Sequence, residues 1–221
     1  MAIDLDKYVL KTGTLTLGIV CKDGIVLAAD NRQSYASGDG VAYIAGQAKK
    51  ISSINERCIV TTAGGASDSR NAIKLVRAEI KLKELRSKSI STIKEIASLM
   101  SNILFQKIRE PSMIPSIAHF LIAGYDEKGY SLYDASPDGY LQKIETYQAT
   151  GAPFESLGIL DVEYKKQITL KEGIELAKKL FTSTRGRQPS VGDGFDIYTI
   201  TQNEIKQVSS QKVVSELKDR E

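Results

Sequence analysis

Gly13-Thr14-Leu15-Thr16-Leu17-Gly18-Ile19-Val20-Cys21-Lys22-Asp23-Gly24-Ile25-Val26-Leu27-Ala28-Ala29-Asp30 is the stretch on which the reading of this chain turns. Two apolar runs, 15–21 and 25–30, flank Asp23-Gly24, a dipeptide suited to the positive φ angles of a tight β-hairpin turn. Gly13-Thr14 stands at the head of that hairpin. Cleavage between the two would give Thr14 a free α-amine beside its own hydroxyl, a base and a nucleophile in one residue. Residues 1–13 would then be a leader, and 14–221 one domain. A threonine that opens a strand usually reflects β-propensity alone, so the assignment depends on the residues around it.

The bulk composition narrows the classes. The chain has 221 residues, of which 42% are hydrophobic and 26% charged, an ordinary globular balance. A net charge of +3, with the basic residues dispersed, gives no footprint for nucleic acid. Cys21 and Cys58 both fall in apolar runs and read as buried free thiols of a reducing compartment. With one histidine and no CxxC, the sequence shows no familiar metal-ligand cluster, and no cofactor is expected. The lone His119 reads as a packed core residue of a strand. No apolar run approaches the ~18 residues of a membrane span. The first 13 residues lack the basic and apolar regions of a secretory signal. The expected location is cytoplasmic.

Periodicity sets the organisation. A polar loop is expected over 31–40, then a second hairpin from 41–45 and the region of Lys49-Lys50-Ile51. Residues 58–63 read as a strand closed by Gly64-Gly65. Ile73, Val76 and Ile80 recur at helical spacing within 67–88. Thr92-Ile93-Lys94-Glu95 is a capping-box pattern, and the wide apolar face that follows ends before Pro111. Strands return at 119–125, 130–135 and 140–145. A helix is expected over 170–182 behind Thr169-Leu170-Lys171-Glu172, then a last hairpin, 195–201 and 204–208. The tail from Ser210 reads as a short helix or as disordered. Strands cluster instead of alternating with helices, so the sheets are mainly antiparallel. The class is α+β, and an αββα four-layer sandwich would bury both helix pairs.

Several segments in fixed order carry a resemblance: Thr12-Gly13-Thr14, the run from Thr16 to Arg32, Tyr43-Ile44-Ala45-Gly46-Gln47-Ala48-Lys49-Lys50-Ile51, Thr61-Thr62-Ala63-Gly64-Gly65 and Ala149-Thr150-Gly151. On these the chain resembles the β-type subunits of the proteasome core, archaeal ones in particular, within the N-terminal nucleophile hydrolases. The resemblance covers nearly the whole chain. It implies the same αββα sandwich and a threonine-type endopeptidase freed by cleavage at Gly13–Thr14. It also implies stacked seven-membered rings with α subunits and other β subunits, and a closed chamber for unfolded polypeptide fed by a regulatory ATPase. Neither nucleic acid nor membrane is an implied partner. Thr14 matches the nucleophile, Lys50 the active-site lysine, Asp30 the carboxylate that holds this lysine, and Gly64 the oxyanion N–H. Arg32 fits a supporting position. Gln33, Ala48, Thr62 and Ala66 match the first specificity pocket, which reads as narrow and neutral.

Two stretches depart from the family pattern. Where active members have Ser-Gly-Ser, this chain reads Thr150-Gly151-Ala152-Pro153-Phe154, and only the Thr150 hydroxyl offers a substitute. Where they have Arg-Asp-x-x-Ser-Gly-Gly, it reads Arg187-Gln188-Pro189-Ser190-Val191-Gly192-Asp193. Gln188 and Val191 stand at the supporting Asp and Ser positions. Ser190 is one residue off register, which would place it on the wrong face. The loop from Asn31 to Gly40 is also longer than usual. Two readings follow: an active threonine endopeptidase subunit, or an inactive or weakly active structural subunit that completes a mixed β ring around a catalytic paralogue.

Overall fold

A computed structural model describes residues 13–36, 42–113, 115–151, 153–185 and 187–213. In chain order the strands and helices are β1 (Thr16–Cys21), β2 (Gly24–Asp30), β3 (Arg32–Ala36), β4 (Ala42–Gln47), β5 (Ile51–Asn55), β6 (Cys58–Gly64), α1 (Ala66–Ser87), α2 (Ile93–Arg109), β7 (Ala118–Asp126), β8 (Gly129–Ala135), β9 (Leu141–Ile144), β10 (Tyr147–Thr150), α3 (Pro153–Glu163), α4 (Leu170–Arg185), β11 (Gly194–Ile200) and β12 (Ile205–Lys212). One five-stranded sheet runs β10-β1-β2-β11-β12, and a second runs β5-β6-β7-β8-β9. Every pairing in both is antiparallel. β3 and β4 form a separate two-stranded ribbon.

The alternation of side chains along each strand makes the layers. On β2, Val26 and Ala28 join the cluster under α3 and α4, while Ile25, Leu27 and Ala29 join the cluster between the sheets. On β7, Phe120 and Ile122 pack under α1 and α2, while Leu121 and Ala123 point between the sheets. β2 is buried along its whole length because both of its faces are covered. Three of the helices close an outer face with a regular stripe: Ile73, Val76 and Ile80 on α1, Ile96, Met100 and Leu104 on α2, Leu176, Leu180 and Phe181 on α4. Burying one such side chain contributes roughly 1.5–3 kcal/mol. The result is the αββα sandwich, and Cys21 and Cys58 are free thiols inside it.

Several sequence expectations change. Residues 32–36 are strand, not loop, and β4 pairs with β3 instead of β5. On β4 of this ribbon, Tyr43 and Ile44 are each 57% exposed. β10 and α3 were not foreseen. β12 continues to Lys212, beyond the expected start of the tail at Ser210. His119 is part-buried and pairs with the buried carboxylate of Asp134 on β8. Gln148 of β10 donates to the other oxygen of Asp134, so a polar bridge ties the two sheets. The Ser37-Gly38-Asp39-Gly40 segment and residues 1–12 of the expected leader lie outside the described residues.

Candidate active site

The site gathers where β1 begins, β2 ends and β5 begins. Asp30, at the end of β2, is fully buried. Its Oδ1 accepts from Lys50 Nζ at 2.7 Å and from the backbone N–H of Leu15 at 2.9 Å. Its Oδ2 accepts from the N–H groups of Arg32 at 3.1 Å and Gly192 at 3.3 Å. One carboxylate oxygen therefore joins the lysine to the residue that follows Thr14. Lys50 is itself buried, and its carbonyl accepts the Thr62 N–H at 2.9 Å. Burial pushes the Lys50 ammonium below the usual lysine range, against the attraction of Asp30. Burial likewise pushes the Asp30 carboxyl upward, opposed by Lys50 and by the backbone donors of Leu15 and Gly192.

Thr14 is 5% exposed and lies against the Thr150–Gly151 turn. Gly151 has φ +95°, and a Cβ there would stand 1.8 Å from the Thr14 carbonyl oxygen. Only glycine allows this approach. The Thr150 hydroxyl, the one candidate substitute for the missing serine, is buried and already bonded to Thr16 Oγ1 at 2.7 Å. Val191 is also unavailable for polar support. Its side chain is 1% exposed, in the apolar cluster with Leu180, Phe181 and Phe195.

Ser190 corrects another expectation. A Cβ on Gly13 would fall 1.7 Å from Ser190 Cβ and 2.1 Å from its Oγ, so Ser190 sits directly on Gly13 and not on a remote face. The segment is held there by Arg32. Its Nε and Nη2 donate to the two carboxylate oxygens of Asp193, both at 3.2 Å, and its Nη1 donates to Pro189 O at 2.6 Å. This planar fork on a carboxylate fixes orientation as well as distance. Val191 N–H to Gln188 O at 3.1 Å closes a turn between the two anchors. Turning Val191 into the core brings Ser190 to the surface that faces Gly13.

A cleft open to solvent lies beside these groups. Gly13, Thr14, Lys50 and Gly64 line it, as do all four expected pocket residues, Gln33, Ala48, Thr62 and Ala66. Asp30 supports it from behind. The sequence reading missed Ser34, Ser52, Ser69, Arg70 and Ile73 on its walls. Ala66, Ser69, Arg70 and Ile73 sit at i, i+3, i+4 and i+7 of α1, so helical spacing from Ala66 could have found the last three. Arg70 brings a charge into a pocket expected to be neutral.

A model of the family described as "Proteasome subunit" matches residues 10–200. The chain belongs to the proteasome subunit family. It is similar to the proteasome subunit beta of Archaeoglobus profundus, 35% identical over 203 residues that cover 91% of this chain and 90% of the relative. It is 34% identical to that of Methanosarcina mazei over 96% of this chain and 97% of the relative. Proteasome subunit beta 2 of Pyrococcus abyssi is 35% identical over 91% and 93%. The chain is thus a β-type proteasome subunit, of a family of threonine proteases whose members assemble with other proteasome subunits in rings. Among the described residues, no helix is long and apolar enough to cross a membrane.

Proposed function

We propose that this β subunit is cleaved between Gly13 and Thr14, leaving a 14–221 domain whose new N-terminus hydrolyses peptide bonds. The observation that carries the reading is the shared Asp30 Oδ1, bonded both to Lys50 and to the amide next to Thr14. It couples the nucleophile's position to the cation's. In the proposed reaction Thr14 Oγ attacks the substrate carbonyl while the α-amine takes its proton. The Lys50 ammonium favours the oxyanion that develops. Collapse forms an ester on Thr14 and expels the amine with that proton. Water then hydrolyses the ester and restores the hydroxyl. Gly64, at the cleft wall, is the assigned source of the oxyanion N–H.

Processing follows the same chemistry on the chain's own Gly13 carbonyl. Thr14 Oγ attacks, the Gly13–Thr14 amide becomes an ester, and water releases residues 1–13. No α-amine exists at that stage, so Ser190, against Gly13, is the polar group available to assist. The proposed setting is a cytoplasmic particle of heptameric α and β rings, supplied with unfolded polypeptide by an ATPase.

Incubating the assembled particle with an electrophilic peptide and mapping the adduct by peptide mass tests this reading. A covalent adduct on Thr14 supports it. No adduct on Thr14 contradicts it and favours the structural role to which Gln188 and the buried Val191 point.

A further inference from the structure

The cleft walls carry more positive charge than the proposed chemistry uses. Arg32, Lys49, Lys50 and Arg70 line it, and no Asp or Glu is among the described lining residues. Arg32 is bonded to Asp193 and Lys50 to Asp30. Lys49 lies over the Tyr198 ring, with Nζ 5.9 Å from its centroid. Arg70 is exposed on the first turns of α1 and forms no ion pair or hydrogen bond with any described residue. An isolated surface arginine needs no explanation. Two further observations give this one a direction.

Ser69 and Ser34 also line the cleft, and their hydroxyls are buried without a hydrogen-bond partner among the described residues. Ser69 is 3% exposed and Ser34 is 7% exposed. Buried hydroxyls are normally satisfied, so two orphans closed off from solvent on residues that line one cleft would gain a partner by rotating toward an acceptor bound there. A hydroxyl and a guanidinium can both donate, and together they ask for an acceptor. A carboxylate accepts from both kinds of donor and neutralises the excess charge. An ammonium or guanidinium would meet like charge. An apolar side chain would contact Ile73 and Ala66 but leave both hydroxyls unpaired.

We propose that this cleft receives an acidic side chain on the residue preceding the scissile bond, with Arg70 as its specificity determinant and Ser69 and Ser34 as hydrogen-bond donors. The proposal rests on the Thr14 reading above, since the cleft is that nucleophile's subsite.

The test uses three epoxyketone peptides identical except for Glu, Leu or Arg at the reactive end. Their rates of Thr14 modification in the assembled particle are followed by mass. A charge-assisted contact predicts that the Glu probe reacts roughly ten- to a hundredfold faster than the Leu probe, with Arg slowest. In Arg70→Glu particles the order of Glu and Arg inverts. A gain of reaction with the Arg probe cannot come from a misfolded variant. Arg70→Lys retains the Glu preference. A Leu or Arg probe that reacts as fast as Glu, or an Arg70→Glu particle that keeps the original order, overturns the pocket assignment and leaves the nucleophile standing. Modification of Thr14 by none of the three overturns the nucleophile, and the subsite falls with it.

Discussion

Lys50→Met and Asp30→Ala should both destabilise the subunit, with the carboxylate the more costly loss. The two side chains are 9% and 1% exposed, so their contact is nearly dry. Removing one partner of a buried pair leaves an uncompensated charge and costs about 3–5 kcal/mol. After Lys50→Met, Asp30 still accepts from three backbone N–H groups, those of Leu15, Arg32 and Gly192. That places the loss at the lower end, about 3 kcal/mol. Asp30→Ala strands the Lys50 ammonium and also removes the acceptor of all three N–H groups. Each orphan donor adds up to about 1–3 kcal/mol, less where water reaches it, so the loss is about 5 kcal/mol or more. At about 2–4 °C per kcal/mol for a chain of this size, Lys50→Met lowers Tm by about 6–12 °C. Urea unfolding and thermal melting of the purified subunit, followed by circular dichroism, measure both losses. The reasoning is refuted if Lys50→Met costs under ~1 kcal/mol, or if Asp30→Ala is the milder change.

Gly13→Ala should halt leader removal, because its methyl would land on Ser190. A displacement of about 1 Å costs on the order of a hundredfold in rate. Gel analysis of particles assembled from the variant reads this, and full leader removal in Gly13→Ala would contradict it. Native protein should resist maleimide at both cysteines, since burial pushes the Cys21 thiol up to about 12 and raises that of Cys58 as well. Labelling should appear only in denaturant. Lys83 and the Thr92 N–H hold the Glu95 carboxyl below the usual glutamate range, and Thr169 does the same for Glu172. A depressed folded pKa means stability that is present above the unfolded value and lost as pH falls through the folded one. Glu95→Gln should therefore lower stability at pH 7 but match the parent chain once the pH lies below the folded titration, as paired urea curves would show.

What the sequence disclosed depended on how local the cause was. The β1–β2 hairpin was legible because apolar runs and Asp23-Gly24 agree within one short segment. The Thr92–Glu95 capping box was legible for the same reason, and the two residues make both of its reciprocal bonds. β3 was hidden because Arg32-Gln33-Ser34 has no apolar alternation. α3 was hidden because Leu157-Gly158-Ile159-Leu160 shows no polar face to mark a helical period. In the site, the family resemblance pointed to Lys50 and Asp30, but not to the sharing of one oxygen with the Leu15 amide. The Arg32–Asp193 fork joins residues 161 positions apart. Its effect on Ser190 is a property of the folded turn. Val191 looked like a simple loss of a serine, yet its burial is what turns Ser190 toward Gly13.

The central claim is that Thr14 becomes an N-terminus. Intact-mass measurement of this subunit, taken from the assembled ring, tests it most directly. The expected result is one species lacking residues 1–13 and beginning at Thr14. A subunit that retains Met1, or a ragged set of ends around residue 13, would contradict the account and leave this chain as scaffold.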